Sequence, residues 1–80
     1  MNNYKVRNVY YLMINDNPFK YFKKGYKVRD LIGLRTVKEF NTWLERKEFV
    51  NRLLDRQYKL KLRRYKLYAF EVVIVEWPLF

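Results

Sequence analysis

Residues 67–77, LYAFEVVIVEW, are apolar on both alternating parities, and this stretch limits the possible folds more than any other. A strand with one wet face alternates apolar and polar side chains, whereas a run that is greasy on both parities needs cover on two sides. Its β-branched and aromatic residues favour a strand over a helix. Pro78 should stop it, because proline cannot donate to a sheet ladder. The full run from Leu67 to Phe80 carries Glu71 and Glu76, which leaves it too short and too charged to span a bilayer. It therefore reads as the central strand of a small sheet.

Neighbours for that strand can be sought upstream. Residues 4–14 (YKVRNVYYLMI) alternate, with Tyr4, Val6, Tyr10, Leu12 and Ile14 on one parity and Lys5, Arg7, Val9, Tyr11 and Met13 on the other. Asn15, Asp16, Asn17 and Pro18 form a cluster of turn residues that should end it. Residues 19–26 show no period and read as irregular and basic. Val28, Leu31 and Ile32 have helical spacing, so residues 27–34 predict a short helix stopped by Gly33. Thr36-Val-Lys-Glu39 has the capping-box pattern, and apolar residues then recur at Val37, Phe40, Trp43, Leu44, Val50, Leu53 and Leu54. The spacing predicts one helix over 37–56. Tyr58, Leu60 and Leu62 alternate with Lys59, Lys61 and Arg63 and predict a strand over 58–63. A helix continuing through Tyr65 competes with it, since Leu54, Tyr58, Leu62 and Tyr65 share a helical face.

Together these readings give one α+β domain over residues 1–80. A three-stranded antiparallel sheet, the N-terminal strand plus a C-terminal hairpin, packs against one long helix and a short preceding helix. The order is compatible with a winged-helix arrangement. Half of the residues are hydrophobic and a fifth are aromatic, which argues against disorder in spite of a +10 net charge. Cysteine and histidine are absent, so disulfides and Cys/His zinc sites are excluded, and no other cofactor motif is present. The first 25 residues lack the apolar core and cleavage site of a signal peptide, so a cytoplasmic setting is expected.

The charge is not spread evenly. Eleven of the 18 basic residues fall in two windows without any acid: Lys20, Lys23, Lys24, Lys27 and Arg29, then Arg56, Lys59, Lys61, Arg63, Arg64 and Lys66. Tyrosines lie inside both. Cations displace phosphate counterions and flat rings stack on bases, so the pattern suits nucleic acid, DNA or RNA. On the strand reading, Lys59, Lys61 and Arg63 share one sheet face with Lys5, Arg7 and Tyr11, while Arg63, Arg64, Tyr65 and Lys66 crown the hairpin. Lys23, Lys24 and Lys27 supply further phosphate contacts. A solvated basic face that keeps the chain soluble is the plain alternative.

A second docking mode comes from the two predicted helices, residues 27–34 and the one capped at Thr36, joined by a short glycine-containing turn. Arg35 and Lys38 would then approach phosphates, although Glu39 and Glu45 on the would-be recognition face weaken this mode. Lysine, arginine and tyrosine can catalyse phosphate chemistry, but no arrangement of them marks a catalytic site here, so a non-enzymatic binder is expected. The alternative class is a small interaction module or inhibitor that covers an acidic surface of a partner protein. A homodimer or a protein partner could be held by the tail residues Trp77, Leu79 and Phe80, and an open edge strand is a second route to a dimer. The Tyr/Lys-rich, nearly glycine-free composition would suit a phage, viral or mobile-element gene.

Overall fold

The computed structural model describes residues 5–76; Tyr4 and the tail from Trp77 to Phe80, to which the sequence assigned roles, lie outside the described residues. The architecture is α+β, with a three-stranded antiparallel sheet packed against a long helix and two short ones. In chain order the elements are β1 (Lys5–Ile14), α1 (Pro18–Lys23), α2 (Val28–Leu31), β2 (Val37–Phe40), α3 (Trp43–Lys59) and β3 (Leu67–Glu76). The sheet order is β2-β1-β3. The N-terminal strand is therefore the central one, and the doubly apolar last strand lies at an edge.

The sequence of β1 explains its position. Val9, Tyr11 and Met13 are buried on one face, and Leu12 is buried on the other. Opposite faces follow from the two-residue period of a strand. The first face is covered by the short helices. Leu31 of α2 joins Val9, Tyr11, Met13, Val37 and Phe70 in the core, with Tyr21, Phe22 and Val28 packed against it. Tyr11 stacks on Phe70 with centroids 5.2 Å apart, and Phe22 meets Phe70 edge-on at 5.9 Å.

The second face carries α3. Phe49 packs on Phe40 at 5.3 Å, and Arg46 is the one buried charged residue among the described positions. Its guanidinium lies 5.3 Å from the centroid of the Tyr10 ring. It donates to the carbonyl oxygens of Tyr11 (3.4 Å) and Phe70 (3.2 Å), and Glu71 stands at 3.5 Å. Arg46 thus pins the helix across two paired strands.

Several local expectations give way to this topology. Residues 37–40 are a strand and not the start of the long helix, because Val37 to Phe40 pair with Met13 to Tyr10. The helix begins six residues later on a second copy of the same capping pattern, Thr42-Trp-Leu-Glu45. Thr42 Oγ1 accepts from the Glu45 N–H at 3.2 Å, and Glu45 Oε2 accepts from the Asn41 N–H at 3.3 Å. With β2 between α2 and α3, the short-turn two-helix unit does not form.

Residues 19–23, expected to be irregular, belong to α1. Asn17 caps it, accepting from the Phe19 N–H at 2.9 Å, and Pro18 takes the first position, where its missing N–H costs nothing. The predicted strand 58–63 is instead the end of α3 and a loop, so the hairpin with β3 is absent. β3 pairs with β1 along its whole length, from Leu67 opposite Ile14 to Glu76 opposite Lys5. β1 thus takes the centre of the sheet, and residues 58–63 complete α3 and its terminal turn instead of pairing with β3.

Candidate polyanion-binding surface

Three strand ends meet at one end of the sheet: the C-terminus of β1 and the N-termini of β2 and β3. Backbone bonds gather the adjoining loops there. The Ile14 N–H donates to the Thr36 carbonyl at 2.8 Å, and the Asn15 N–H donates to the Lys66 carbonyl at 2.6 Å. Asn15 Oδ1 accepts from the Lys66 N–H at 3.1 Å, so the β1 turn and the loop before β3 are tied twice. Asn15 has φ +61°, a left-handed conformation that asparagine tolerates better than most residues.

The end of α3 delivers the second basic window to this place. Lys61 also takes a positive φ, +51°. The Leu62 N–H donates to the Gln57 carbonyl at 3.0 Å and the Lys61 N–H to the Tyr58 carbonyl at 3.3 Å. This is the Schellman pattern, normally built on glycine, here built on lysine. The chain then turns back, steadied by the Gln57 side chain, whose Oε1 accepts from the Tyr65 N–H at 3.1 Å. The result is an open cleft of about 560 Å³ lined by Asn15, Leu62, Arg63, Arg64, Tyr65 and Lys66.

Within the cleft and its rim the charges are largely free. Arg56, Lys61, Arg63, Arg64 and Lys66 are exposed and make no ion pair among the described residues; Lys59 is exposed but paired with Asp55 at 3.0 Å. Arg56 and Lys59 also complement the negative end of the α3 dipole, so part of their role is to stabilise that terminus. Tyr65 is half-buried. Tyr58, in the last turn of α3, is 85% exposed and is the ring offered most openly to solvent.

The remaining expected positions divide. Arg35, just before β2, is exposed at this same end, and Lys38 lies on β2 opposite Leu12, on the α3 side of the sheet. Lys23 and Lys24 close α1, and Lys27 precedes α2; all three are exposed. Lys24, with Gly25, Tyr26 and Asp30, lines a second open hollow of about 400 Å³. Lys5 and Arg7 sit toward the far end of β1, about 30 Å and about 23 Å from Ile14 at the usual rise of a strand. Arg7 is engaged there by Glu76 at 3.7 Å.

Tyr11 is not a stacking ring. It is 3% exposed, and burial pushes its phenol pKa up. The sheet platform of Lys5, Arg7, Tyr11, Lys59, Lys61 and Arg63 is therefore not assembled, and the cationic surface lies on loops at one end of the sheet. Tyr58 and Arg56 were missed as site residues. Their signal was their place in the acid-free window 56–66.

A polar cluster anchors the turn behind the cleft. The Tyr21 hydroxyl donates to Asp16 Oδ2 at 2.7 Å, Lys20 Nζ meets Asp16 Oδ1 at 2.5 Å, and the Asn17 N–H donates to Asp16 Oδ1 at 2.9 Å. The Lys20 ammonium, then the Tyr21 hydroxyl, holds the Asp16 carboxyl below its usual range, and Asp16 in turn raises the pKa values of Lys20 and Tyr21. Lys20 is thus neutralised at short range, and Asp16 is committed to holding the turn.

Among the described residues no three His, Cys, Asp or Glu side chains stand together where they could hold a metal ion, and no helix is long and apolar enough to cross a membrane. Comparison with known protein families, curated proteins and solved structures finds no match to this chain.

Proposed function

We propose that the protein binds nucleic acid without catalysing a reaction, gripping phosphates with the end of α3 and the loop that follows it. The observation that carries this reading is the cleft of Arg63, Arg64 and Lys66, with Lys61 in the turn leading into it and Arg56 in the last turn of α3, all exposed and without an ion pair among the described residues. Cations held without an internal counter-charge gain most from releasing the counterions of a phosphate backbone. Tyr58 and Tyr65 supply rings beside them, which suits stacking on unpaired bases. A backbone-led mode of this kind carries little sequence specificity. A cytoplasmic setting, in a phage, viral or mobile-element context, belongs to the same reading.

The test is fluorescence anisotropy with a generic labelled oligonucleotide, single- and double-stranded. Arg63→Ala/Arg64→Ala should weaken binding by tenfold or more, whereas Lys5→Ala/Arg7→Ala, at the opposite end of β1, should change it less than threefold. Equal losses from the two pairs would refute a localised site.

A second reading is favoured by a different observation. Trp43, Leu44 and Leu54 on α3 are exposed by 50%, 55% and 44%. Aromatic and arginine side chains dominate protein interfaces, so α3 is where an acidic protein partner would dock. Trp43→Ala/Leu44→Ala that leaves oligonucleotide binding intact but abolishes capture of a specific protein would support this reading.

A further inference from the structure

We infer that β3 is an interface strand, and that two copies of the chain pair along it, antiparallel about a two-fold axis, to form one six-stranded sheet. β3 ends the order β2-β1-β3, so its outer edge has no strand partner among the described residues. It is ten residues long. Soluble proteins usually blunt such an edge with lysine, proline, a bulge or an inward charge. Of the six elements described, β3 alone contains no lysine or arginine, although the chain carries a net charge of +10. The basic residues are kept off the one edge where they would oppose a second copy.

The apolar pattern points the same way. The residues of β3 read as a strand enclosed on both sides, yet Val73 is 61% and Val75 45% exposed. They lie opposite Asn8 and Val6 on one face of the sheet, and Val6 is 56% exposed. In this half of the sheet β2 gives no cover, because it pairs only with Tyr10 to Met13. Lys5–Val9 and Val72–Glu76 therefore form a two-stranded ribbon, an arrangement with little stability of its own in water. Pairing β3 with its two-fold mate makes that ribbon four strands wide. It also pairs the free N–H and C=O groups along the outer edge of β3.

The register is compatible. A two-fold axis at Val73 sets Glu71 opposite Val75 and Glu76 opposite Phe70, so no two carboxylates face each other.

The deciding experiment is sedimentation equilibrium of the wild-type chain from about 5 to 500 μM, at low and at high salt. The expected mass rises toward twice 10.1 kDa, and the dimer fraction rises with salt as repulsion between two +10 chains is screened. That sign is opposite to the salt dependence of phosphate binding, so failure of one proposal is separable from failure of the other. Val73→Lys should give a monomer with an unchanged circular dichroism spectrum, while Leu34→Lys, an exposed position away from the sheet edge, should still dimerise. In wild-type hydrogen exchange, amide protection in β3 should grow with concentration and that in β2 should not. A wild-type chain that keeps a single-chain mass leaves the edge to a strand from another protein and overturns the proposal. Protection gained at β2 instead of β3 also overturns it.

Discussion

Arg46 offers the sharpest stability test. The guanidinium sits beneath α3 with 8% exposure, bonded to the Tyr11 and Phe70 carbonyls, over the Tyr10 ring and 3.5 Å from Glu71. Both carbonyl contacts are long, so together they contribute at the low end of a charge-assisted bond, about 1.5 kcal/mol. The ring contact adds about 1 kcal/mol. Truncation also removes the buried aliphatic stem, worth roughly 1 kcal/mol. Arg46→Ala should therefore cost about 3–4 kcal/mol, against a total stability of roughly 4–12 kcal/mol for a chain of 80 residues. Arg46→Met keeps most of the stem and removes the cost of desolvating a charge, so its penalty should be less than half as large. Urea titrations followed by circular dichroism measure both, as midpoint shifts at constant slope. An alanine variant within 0.5 kcal/mol of wild type, or a methionine variant worse than alanine, would refute the claim that this side chain locks helix to sheet.

Further consequences are checked by the same methods. Lys61→Gly should raise stability by about 0.5–1 kcal/mol, and the thermal midpoint by a few degrees, because glycine takes the left-handed position without a steric penalty. Tyr11→Phe should leave oligonucleotide affinity within twofold of wild type, whereas Tyr11→Ala should cost about 3–5 kcal/mol of folding stability, since the ring is core. The Asp16 cluster sets a pH window. The lowered carboxyl pKa adds stability above about pH 4 that is lost as pH falls through it, and the raised Lys20 and Tyr21 values add stability lost as pH climbs past about 10. Wild type and Asp16→Asn should therefore differ most between these limits and converge only once the pH has fallen below the lowered Asp16 carboxyl value.

Much of the secondary structure was visible in the residues, and what was lost was lost to competition between equal local signals. Alternation announced β1, and the Asn15–Pro18 cluster marked its end. The continuous apolar run Val9–Ile14 carries the same two-faced signature as Leu67–Trp77, and it belongs to the strand that occupies the centre. Two capping patterns six residues apart, Thr36/Glu39 and Thr42/Glu45, were locally indistinguishable. Pairing of Val37–Phe40 with β1 chose the second. The stretch from Tyr58 to Arg63 fits both a strand and a helix end, and the helix runs on to Lys59, where the Leu60, Lys61 and Leu62 N–H groups close its last carbonyls. The charge windows were legible from composition alone. Their position was not, because it depends on a turn at Lys61 that no glycine announces.

The central claim is that the free cations at the end of α3 and in the loop to β3 act together on phosphate. It is tested most directly by the slope of log affinity against log salt for a duplex or single-stranded oligonucleotide. If about five of these side chains meet phosphates, the slope should lie near −3.5 to −4.5, and replacing Arg63 and Arg64 should make it shallower by about 1.5. Binding that is indifferent to salt, or a slope left unchanged by the double replacement, would contradict the account.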